Sequence, residues 1–358
     1  MEQRLTKLWY RDTAGPSLLQ PLSWLYATAI RVRATAYARR WLTTHHVDKP
    51  VVVVGNLTVG GTGKTPLVIW LARHRTERGL RVGIVSRGYG SEVAEAPRQV
   101  NETSNWQDVG DEPLLLYRGT RCVTLIGRDR VAAAQALVTK GVDVIVSDDG
   151  LQHLRLARDC EIVVIDGTRG FGNGRMLPAG PLREPVSRVA DADIIVINGA
   201  AEHSSLRRVV SLEARALQMT LLPGDAVRLD GSCTQQGGCT QQGREPPRSL
   251  EAFRGRSIHA VAGIGNPARF FRDLRARGLD VIEHAFPDHH PFAADDLSFG
   301  DDLPVLMTEK DAVKCASFAD PRLWSVPTTA TFSEAQAREL LNHVMRKIES
   351  YRVSEVKS

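Results

Sequence analysis

The chain has 358 residues, of which 42% are hydrophobic and 24% are charged, and its formal net charge is +5. This length exceeds what one hydrophobic core usually serves, so we expect two domains, and the composition is that of an ordinary globular protein. The mild basic excess suits an anionic partner such as a nucleotide, a nucleic acid or an acidic lipid, but it selects none of them.

The cysteine content and the hydropathy pattern exclude further classes. Five cysteines are present and none forms a C-x-x-C pair, so we expect neither a disulfide framework nor a zinc site, and a reducing cytoplasm is the simplest setting. The apolar runs are strand-sized, shorter than the roughly 18 residues that a membrane span needs. The N-terminus shows no secretory signal. We therefore expect a cytoplasmic or peripherally attached protein.

The first segment of the chain is predicted to be a basic amphipathic helix of about 20 residues that starts near Leu22. On a helical projection one broad apolar sector contains Leu22, Tyr26, Ile30, Ala34, Tyr37 and Trp41. Arg31 lies opposite this sector, whereas Arg33 and Arg40 intrude on it. Two interpretations stay open: a helix that docks at a membrane interface, with its arginines reaching the headgroups, or a helix that covers the first domain.

From Val51 to Asn198 the chain alternates apolar strands with helices, among which we predict Lys64–Arg78 and Arg130–Lys140. Continuous Val/Ile runs, such as VVVV at 51–54 and EIVVI at 161–165, are typical of strands buried on both faces of a parallel sheet. The pattern predicts an α/β fold with a doubly wound, mostly parallel sheet. Such sheets bind ligands at the carboxyl ends of their strands.

We place the domain boundaries where this pattern breaks. The expected division is a basic amphipathic helix over 1–48, a doubly wound α/β domain over 49–222, a linker over 223–253, a smaller α/β domain over 254–350 and a tail over 351–358. The linker is polar and contains an imperfect CTQQG duplication at 233–243, which is typical of a loop. In the second domain we expect a strand–helix–strand unit at 257–286, then a strand and a turn at 303–314.

The stretch GNLTVGGTGKTP, residues 55–66, has the form of a phosphate-binding loop between a strand and a helix. It carries threonine where the pattern G-x-x-x-x-G-K-[ST] has its first glycine, but the G-G-x-G-K-T form resembles the P-loop subclass of ParA-type ATPases and dethiobiotin synthetase. Such a loop offers backbone N–H groups, a lysine and a hydroxyl for Mg²⁺. The predicted nucleotide-binding residues are Thr58, Val59, Gly60, Gly61, Thr62, Gly63, Lys64 and Thr65.

The metal partner of Thr65 should be an acid at the end of another strand. Asp148 and Asp149 follow the strand VDVIVS, and either can hold Mg²⁺ directly or through water. Asp166, after EIVVI, is a competing candidate. A plain turn at the end of the strand is the alternative interpretation of all three.

A set of motifs resembles one family. In order along residues 55–314 the chain carries GNLTVGGTGKTP, SRGYG, GDEPLLL, SDDGLQH, PAGPLREP, GIGNP, FPDHHPF and MTEKDAVK. Together they resemble the tetraacyldisaccharide 4'-kinases, the lipid A 4'-kinases of Gram-negative bacteria. The resemblance implies transfer of the γ-phosphoryl group of ATP, with Mg²⁺, to the 4'-hydroxyl of a tetraacyldisaccharide 1-phosphate, giving lipid IVA. It also implies peripheral attachment to the cytoplasmic face of the inner membrane through the N-terminal helix.

The resemblance assigns roles to further residues. Asp111 in GDEP matches the catalytic base, which a poorly nucleophilic sugar hydroxyl needs. Its partner is expected from the second domain, with His289 as the first choice and His290 as the alternate. Arg183 would clamp phosphate through its guanidinium, and a structural ion pair or hydrogen bond is the alternative. The other matching positions, for which a structural ion pair or hydrogen bond is the alternative, are Arg87, Tyr89, Glu112 and Gln152.

Two other functional classes receive less support. A ParA-like or GTPase-type switch that transfers phosphate only to water is the nearest rival, but the guanine-reading N-K-x-D motif is absent and Val59 replaces the extra lysine of the switch ATPases. A nucleic-acid binder is disfavoured because the arginines are dispersed and no helix-turn-helix pattern is present. The sequence indicates no obligate protein partner.

Overall fold

The computed structural model describes residues 8–10, 17–88, 96–207, 216–229 and 245–355, with side chains as far as Tyr351. The chain forms two compact units, and each is discontinuous in sequence. The first contains Met1–Ser86, Asp129–Thr220 and Ala330–Ser358, and the second contains Arg87–Arg128 and Leu221–Thr329. The α/β class predicted from the sequence is confirmed. The CTQQG duplication lies outside the described residues.

The described strands fall in both units. In chain order they are β1 (Val51–Gly55), β2 (Val82–Ser86), β3 (Arg98–Val100), β4 (Val123–Ile126), β5 (Val144–Asp148), β6 (Cys160–Asp166), β7 (Ile194–Asn198), β8 (Ala216–Pro223), β9 (Val227–Arg228), β10 (Ser257–Ala262), β11 (Asp280–Ala285), β12 (Val305–Thr308), β13 (Leu323–Val326) and β14 (Thr328–Thr331).

The described α-helices connect these strands. They are α1 (Gln20–Ala38), α2 (Lys64–Thr76), α3 (Trp106–Val109), α4 (Asp111–Thr120), α5 (Arg130–Thr139), α6 (Ser204–Arg207), α7 (Pro267–Arg275), α8 (Glu309–Cys315) and α9 (Glu334–Glu355). Short 3-10 helices occur at Ser17–Leu19, Val186–Asp191, Leu250–Phe253 and Ala294–Leu297. Within the described ranges, no helix is long and apolar enough to cross a membrane.

A parallel sheet with the strand order β8-β7-β6-β1-β5-β2 forms the centre of the first unit. Strands β1, β5, β6 and β7 are buried along their whole length, as expected for Val/Ile runs covered on both faces. Val54 of β1 pairs with Asp148 of β5, and Asp166 of β6 pairs with Asn198 of β7. These polar residues therefore end their strands at the edge where β1 enters the phosphate loop.

Helix α1 packs one face on the first unit and leaves a second apolar face exposed. Tyr26, Ala27 and Ile30 pack against the core cluster that contains Phe171 and Leu182, and a hydrogen bond of 2.8 Å from Ser23 Oγ to the Met176 carbonyl fixes the helix there. The large apolar side chains exposed on this helix are Leu22, Trp24, Leu25 and Val32, and those exposed in the residues beside it are Leu18, Trp41 and Leu42. The predicted apolar sector is thus divided, because its members Leu22 and Trp41 are exposed while Tyr26 and Ile30 are half-buried.

A sheet with the order β11-β10-β12-β13-β9 forms the centre of the second unit. Its pairs are parallel except for β13 with β9, and β3 and β4 form an antiparallel pair in the same unit. The segment predicted as a turn after β12 is helix α8, with Thr308 as its N-cap: the Thr308 side chain accepts from the Asp311 N–H.

The division into units differs from the boundaries expected from the sequence, and side-chain packing gives the reason. Residues 87–128 belong to the second unit because Leu114 and Ile126 share a buried cluster with Val313 of α8. The C-terminal segment belongs to the first unit, where the Leu341 carbonyl accepts from the buried Arg75 guanidinium at 2.6 Å. Much of the expected linker is folded, since it includes β9 and the buried Phe253.

Candidate functional site

The phosphate loop follows β1, and its glycines adopt conformations that other residues avoid. Gly60 has φ +91° and Gly63 has φ +95°, in the range where a Cβ atom is strained. A Cβ on Gly63 would also lie 2.5 Å from Nδ2 of Asn198. Helix α2 begins at Lys64 directly after this glycine, so its N-terminal N–H groups and positive dipole end lie at the loop, as phosphate binding requires.

Side chains hold four consecutive carbonyl groups of the loop. The bonds run from Tyr10 Oη to Val59 O at 3.2 Å, from Asn56 Nδ2 to Gly60 O at 3.3 Å, from Arg169 to Gly61 O, and from Asn198 Nδ2 to Thr62 O at 2.9 Å. Because a trans peptide unit is planar, with its C=O and N–H on opposite sides, each bond also fixes the N–H of the following residue. The N–H groups of Gly60 to Gly63 are therefore oriented before a ligand binds.

The PAGPLREP segment is joined to the same loop. The Val59 N–H donates to the Pro181 carbonyl at 2.9 Å, and the Arg183 N–H donates to the Leu57 carbonyl at 2.7 Å. Thr58, the residue in place of the usual glycine, forms an isolated bridge with Leu182 and is buried. The backbone of Thr58 therefore pairs with the PAGPLREP segment.

Lys64, Asp149 and Arg183 form a charged cluster at the loop. Arg183 donates to both carboxylate oxygens of Asp149 at 3.0 and 2.9 Å, and Lys64 Nζ lies 3.5 Å from the same carboxylate. Asn56 accepts from Lys64 Nζ at 3.1 Å and from Arg183. Burial raises the pKa of the Asp149 carboxyl, but the charges of Lys64 and Arg183 outweigh burial and hold the pKa well below its ordinary value.

The structure gives the candidate metal ligands different surroundings. Asp149 serves as the counter-ion of Lys64 and Arg183. Asp148 is buried beside the end of β1, and its backbone carbonyl and the Ser147 hydroxyl accept from the buried Arg130 guanidinium. Asp166 caps a turn instead: one oxygen accepts from the Thr168 N–H and hydroxyl at 3.0 and 2.7 Å, and the other from the Arg169 side chain at 3.1 Å.

The donor chemistry of this edge suits Mg²⁺. Asp148 offers carboxylate oxygens and Thr65 offers a hydroxyl, which are the hard oxygen ligands that Mg²⁺ prefers. Across the residues that the structure describes, no group of three or more His, Cys, Asp or Glu side chains is arranged to hold a metal ion. A magnesium ion here would therefore complete its coordination with water and phosphate oxygens, as it usually does.

Gln152 contacts Asn56, which accepts hydrogen bonds from Lys64 and Arg183 of the charged cluster. Its Nε2 donates to the Asn56 carbonyl at 3.1 Å and to Glu184 Oε1 at 2.7 Å. The N-terminal helix reaches the same place, because Tyr26 donates to the Arg183 carbonyl at 3.1 Å and Arg33 donates to the Gln152 carbonyl at 2.9 Å. Gln152 thus positions the loop and its neighbours through hydrogen bonds.

The second unit brings Asp111 and His289 together. Asp111 is the first residue of α4, and its two oxygens lie 3.1 and 3.0 Å from Nδ1 of His289. Both residues belong to the same unit, which differs from the expectation that the partner comes from another domain. His290 instead pairs with Asp296 at 3.0 Å.

The electrostatics of this pair favour an ionised Asp111. Burial raises the pKa of the Asp111 carboxyl, but the hydrogen bond with His289 and the charges of Lys310 and Lys314 outweigh burial and lower the pKa. Burial lowers the pKa of His289, and the bond to Asp111 raises it above its ordinary value. His289 also has a positive φ of +61°, a strained conformation of the kind that clusters at functional sites.

Two lysines of α8 complete this cluster. Lys310 Nζ lies 3.0 Å from Glu112 Oε1, and the buried Lys314 Nζ lies 3.8 Å from Asp111 and 2.9 Å from Asp311. Glu112 is thus one of the acids that hold Lys310. Of the remaining predicted residues, Arg87 is exposed after the end of β2, and Tyr89 lies outside the described residues.

Sequence reasoning missed several residues of the two clusters, namely Tyr10, Asn56, Arg130, Arg169, Asn198, Lys310 and Lys314. Asn56 and Asn198 carried a usable signal, because each is a polar residue at the end of a buried strand. Lys310 and Lys314 stand one helical turn apart in MTEKDAVK, so they share a face of α8. Tyr10 and Arg169 carried no such signal, since only the fold brings them to the loop.

Comparison with known proteins agrees with these features. The family model described as Tetraacyldisaccharide-1-P 4'-kinase matches residues 16–346. A tetraacyldisaccharide 4'-kinase of Alkalilimnicola ehrlichii is 49% identical over 93% of each chain, and one of Nitrosococcus oceani is 44% identical over 96% of each chain.

A solved structure is also similar. LpxK from Aquifex aeolicus, crystallised in complex with ATP, aligns with a TM-score of 0.69 and 26% identity over 93% of this chain and 99% of that one. The family model spans most of the sequence, and the curated relatives match it over nearly their full length. This chain, with its phosphate loop and its Asp111–His289 pair, therefore belongs to the tetraacyldisaccharide 4'-kinase family.

Proposed function

We propose that this protein transfers the γ-phosphoryl group of ATP to the 4'-hydroxyl of a tetraacyldisaccharide 1-phosphate, giving lipid IVA. The observation that carries the proposal is the Asp111–His289 pair, with contacts of 3.0 and 3.1 Å, in a chain that also has a complete phosphate loop. A switch ATPase needs to position only water. A kinase of this family must also activate an alcohol, and a carboxylate held by a histidine suits that task.

The phosphate-binding role goes to the loop and its two cations. The N–H groups of Gly60 to Gly63 and the N-terminus of α2 would bind the phosphate oxygens. Lys64 and Arg183 would neutralise the charge that spreads over the transferred group, which is the main source of catalysis in phosphoryl transfer. Asp149 positions both cations, since it contacts each of them.

Mg²⁺ would be held by Thr65 and Asp148, with Asp149 as the charge partner of Lys64 and Arg183. The bound ion would neutralise phosphate charge. Asp148→Asn should raise the Mg²⁺ concentration for half-maximal activity by about tenfold or more, because it removes a charged ligand. Asp149→Asn should instead lower turnover with a smaller change in that concentration. If Asp149→Asn raised this Mg²⁺ concentration and Asp148→Asn did not, Asp149 would be the metal ligand instead of Asp148.

Asp111 would take the proton of the 4'-hydroxyl as the new P–O bond forms and the bond between the γ-phosphorus and the bridging oxygen breaks, with ADP as the leaving group. Its lowered pKa keeps it ionised at neutral pH, and His289 would orient it by donating from Nδ1. Its position at the N-terminus of α4 favours a negative charge, because the positive end of the helix dipole lies there.

The lipid substrate would be met at a membrane surface, at the cytoplasmic face of the inner membrane. The exposed Trp24 and Leu25 point away from the core that Tyr26 and Ile30 contact, and Arg31 on the same helix is exposed. An apolar face with flanking arginines suits peripheral attachment to anionic headgroups. The proposal requires no nucleic acid and no protein partner.

A phosphate-transfer assay in detergent micelles tests this function. The protein, Mg²⁺ and γ-labelled ATP are incubated with and without the tetraacyldisaccharide 1-phosphate, with Lys64→Ala as the control. Label should appear in the lipid with the wild type and be lost with the variant. Label released only as free phosphate, whether or not lipid is present, would contradict the kinase and favour the membrane-associated switch ATPase.

A further inference from the structure

The ammonium group of Lys310 connects three functional groups of the second unit. Its Nζ lies 3.0 Å from Glu112 Oε1, 3.1 Å from Asp288 Oδ1 and 3.2 Å from Nε2 of His289. The side chain is only 15% exposed. Lys310 therefore lies on the side of the imidazole opposite Asp111, which contacts Nδ1.

The positions of the protons follow from donor and acceptor chemistry. Burial lowers the pKa of Lys310, but the carboxylates of Glu112 and Asp288 outweigh burial and raise it well above its ordinary value, so the group is an ammonium. An ammonium has only donors. The 3.2 Å contact is a hydrogen bond only when Nε2 of His289 accepts and carries no proton, and the ring proton of the neutral imidazole then lies on Nδ1, where it is donated to Asp111.

From this arrangement we propose that Lys310 is a positioning residue, which holds His289 as the neutral tautomer with its proton on Nδ1 and thereby keeps Asp111 oriented as an acceptor. The proposal rests on the role of Asp111 as the base given above. A cationic His289 would carry a second N–H on Nε2 that points at the ammonium 3.2 Å away. Protonation of His289 and its contact with Lys310 therefore exclude each other.

The remaining charges around the imidazole determine in which direction the loss of Lys310 shifts the pKa values of His289 and Asp111. Burial and Lys310 oppose a second proton on His289, but Asp111, and Asp288 at 3.8 Å from Nε2, outweigh them and raise the pKa of His289 above its ordinary value. Lys314 lies 3.8 Å from Asp111 and also favours its ionised form. Removal of the Lys310 charge should thus raise the pKa of both His289 and Asp111, and each change makes the pair less active as the pH falls.

Two neighbouring acids are engaged elsewhere. Asp311 pairs with Lys314 at 2.9 Å, and Asp296 pairs with His290 at 3.0 Å. Glu112 holds Lys310 from the α4 side. Lys310 is a positive group that faces Nε2 of His289, at 3.2 Å.

The tautomer can be read directly by NMR. The full chain is labelled with ¹⁵N-histidine, the imidazole nitrogens are recorded at about pH 8.5, above the ordinary range of histidine pKa values, and His289→Gln assigns the signals by their disappearance. We expect a protonated Nδ1 and a bare Nε2 for His289. A proton on Nε2 alone, or an imidazolium, would overturn the proposal. This measurement uses the wild-type chain and needs no turnover, so it stands even if Asp111 is not the base.

The kinetic test uses Lys310→Met, with Lys310→Arg as the conservative variant. Lys347→Met is the matched control, since Lys347 forms an ion pair with Asp193 in the first unit. In Lys310→Met the midpoint of the acidic limb in the pH dependence of kcat should rise by about one pH unit or more. The reason is that a positive charge within hydrogen-bonding distance lowers the pKa of a histidine, and the variant removes that charge. The KM for ATP should stay unchanged, and Lys310→Arg should restore part of the wild-type profile.

The outcomes separate this proposal from the proposed function. If Lys310→Met lowered kcat equally at every pH and left the midpoint of the acidic limb unchanged, Lys310 would have only a structural role and the inference would be contradicted. Lys310→Gln repeats the test if the methionine variant fails to fold. Full activity in Asp111→Asn would instead remove the base role, while the tautomer of His289 would still be decided by the nitrogen spectrum.

Discussion

The guanidinium of Arg183 meets the carboxylate of Asp149 through two hydrogen bonds of 3.0 and 2.9 Å. The two side chains come from loops about 30 residues apart in sequence, PAGPLREP and SDDGLQH, and the pair sits 3.5 Å from Lys64. A fork that bonds both oxygens fixes an orientation as well as a charge. The cations of the phosphate loop are thereby held in place by an acid that stays ionised.

The first prediction concerns this fork. Arg183→Lys keeps the charge but cannot bond both oxygens of Asp149 in the same plane, so kcat should fall about 10- to 100-fold, the equivalent of one charge-assisted hydrogen bond. Arg155→Lys is the control, because Arg155 forms an exposed pair with Asp129 at 3.4 Å. Equal kinetics for the two variants would show that the bidentate geometry is unimportant.

The second prediction compares two glycines with similar backbone conformations. Gly63 has φ +95° and a would-be Cβ only 2.5 Å from Asn198, whereas Gly79 has φ +81° and nothing within 4 Å of its Cβ. Gly79→Ala should therefore cost only about 1 kcal/mol of stability and leave ATP binding intact. Gly63→Ala should also displace Asn198 from the loop and abolish measurable ATP binding in calorimetry. Similar ATP affinity in both variants would contradict this.

The third prediction tests the carbonyl contacts of the loop. Tyr10→Phe removes the hydroxyl that donates to Val59 O at 3.2 Å while it keeps the ring that stacks under Arg169. ATP affinity should fall about two- to tenfold, which corresponds to one neutral hydrogen bond. AMP, which lacks the β- and γ-phosphates, should bind as before. An equal loss for AMP and ATP would indicate general damage to the unit.

The fourth prediction is a pH dependence of stability. Burial, together with the charges of Arg130 and Arg158, lowers the pKa of His153 from 6.5 to about 4. Well above pH 6.5 the residue is neutral in both states and contributes nothing. As the pH falls from 6.5 towards 4, the unfolded chain binds a proton that the folded chain does not, so stability is lost across this window.

Substitution at His153 should remove this contribution. Urea unfolding of the wild type and of His153→Gln at about pH 7 and about pH 4.5 measures it. We expect the variant to lose less stability on acidification than the wild type, whatever its stability at neutral pH. An equal loss in both proteins would mean that other groups cause the acid sensitivity.

The local features of the fold were predictable from the sequence. Strands β1, β5, β6 and β7 are continuous Val/Ile runs, and the phosphate loop carries its own glycine pattern, so these boundaries came within a few residues. The polar residues that end these strands were predictable for the same reason, because parallel strands present their carboxyl ends at one edge.

The remaining features depend on contacts that are distant in sequence. Helix α4, which begins at Asp111, packs with Val313 about 200 residues later. Neither segment carries a sequence pattern that predicts this contact. The Tyr10 bond to Val59 and the Lys310 bond to His289 likewise need the folded chain. Resemblance to a family pointed to Asp111 and His289, but only the folded structure brings Lys310 to the far nitrogen of the imidazole.

The last prediction concerns the exposed face of α1. Trp24 is 65% exposed and Leu25 is 69% exposed, while Tyr26 and Ile30 on the other face hold the helix to the core. Trp24→Gln should therefore leave the melting temperature unchanged. It should weaken binding to vesicles of anionic phospholipid about tenfold or more, because burial of a large aromatic contributes roughly 2 kcal/mol.

The control replaces an exposed apolar residue in the second unit, Ile282→Gln, since Ile282 is 40% exposed on β11. It should bind vesicles as the wild type does. In the transfer assay Trp24→Gln should raise the KM for the lipid and leave the KM for ATP unaltered, because the loop contacts are retained. Equal vesicle binding by the wild type and both variants would assign the exposed face of α1 to something other than a membrane.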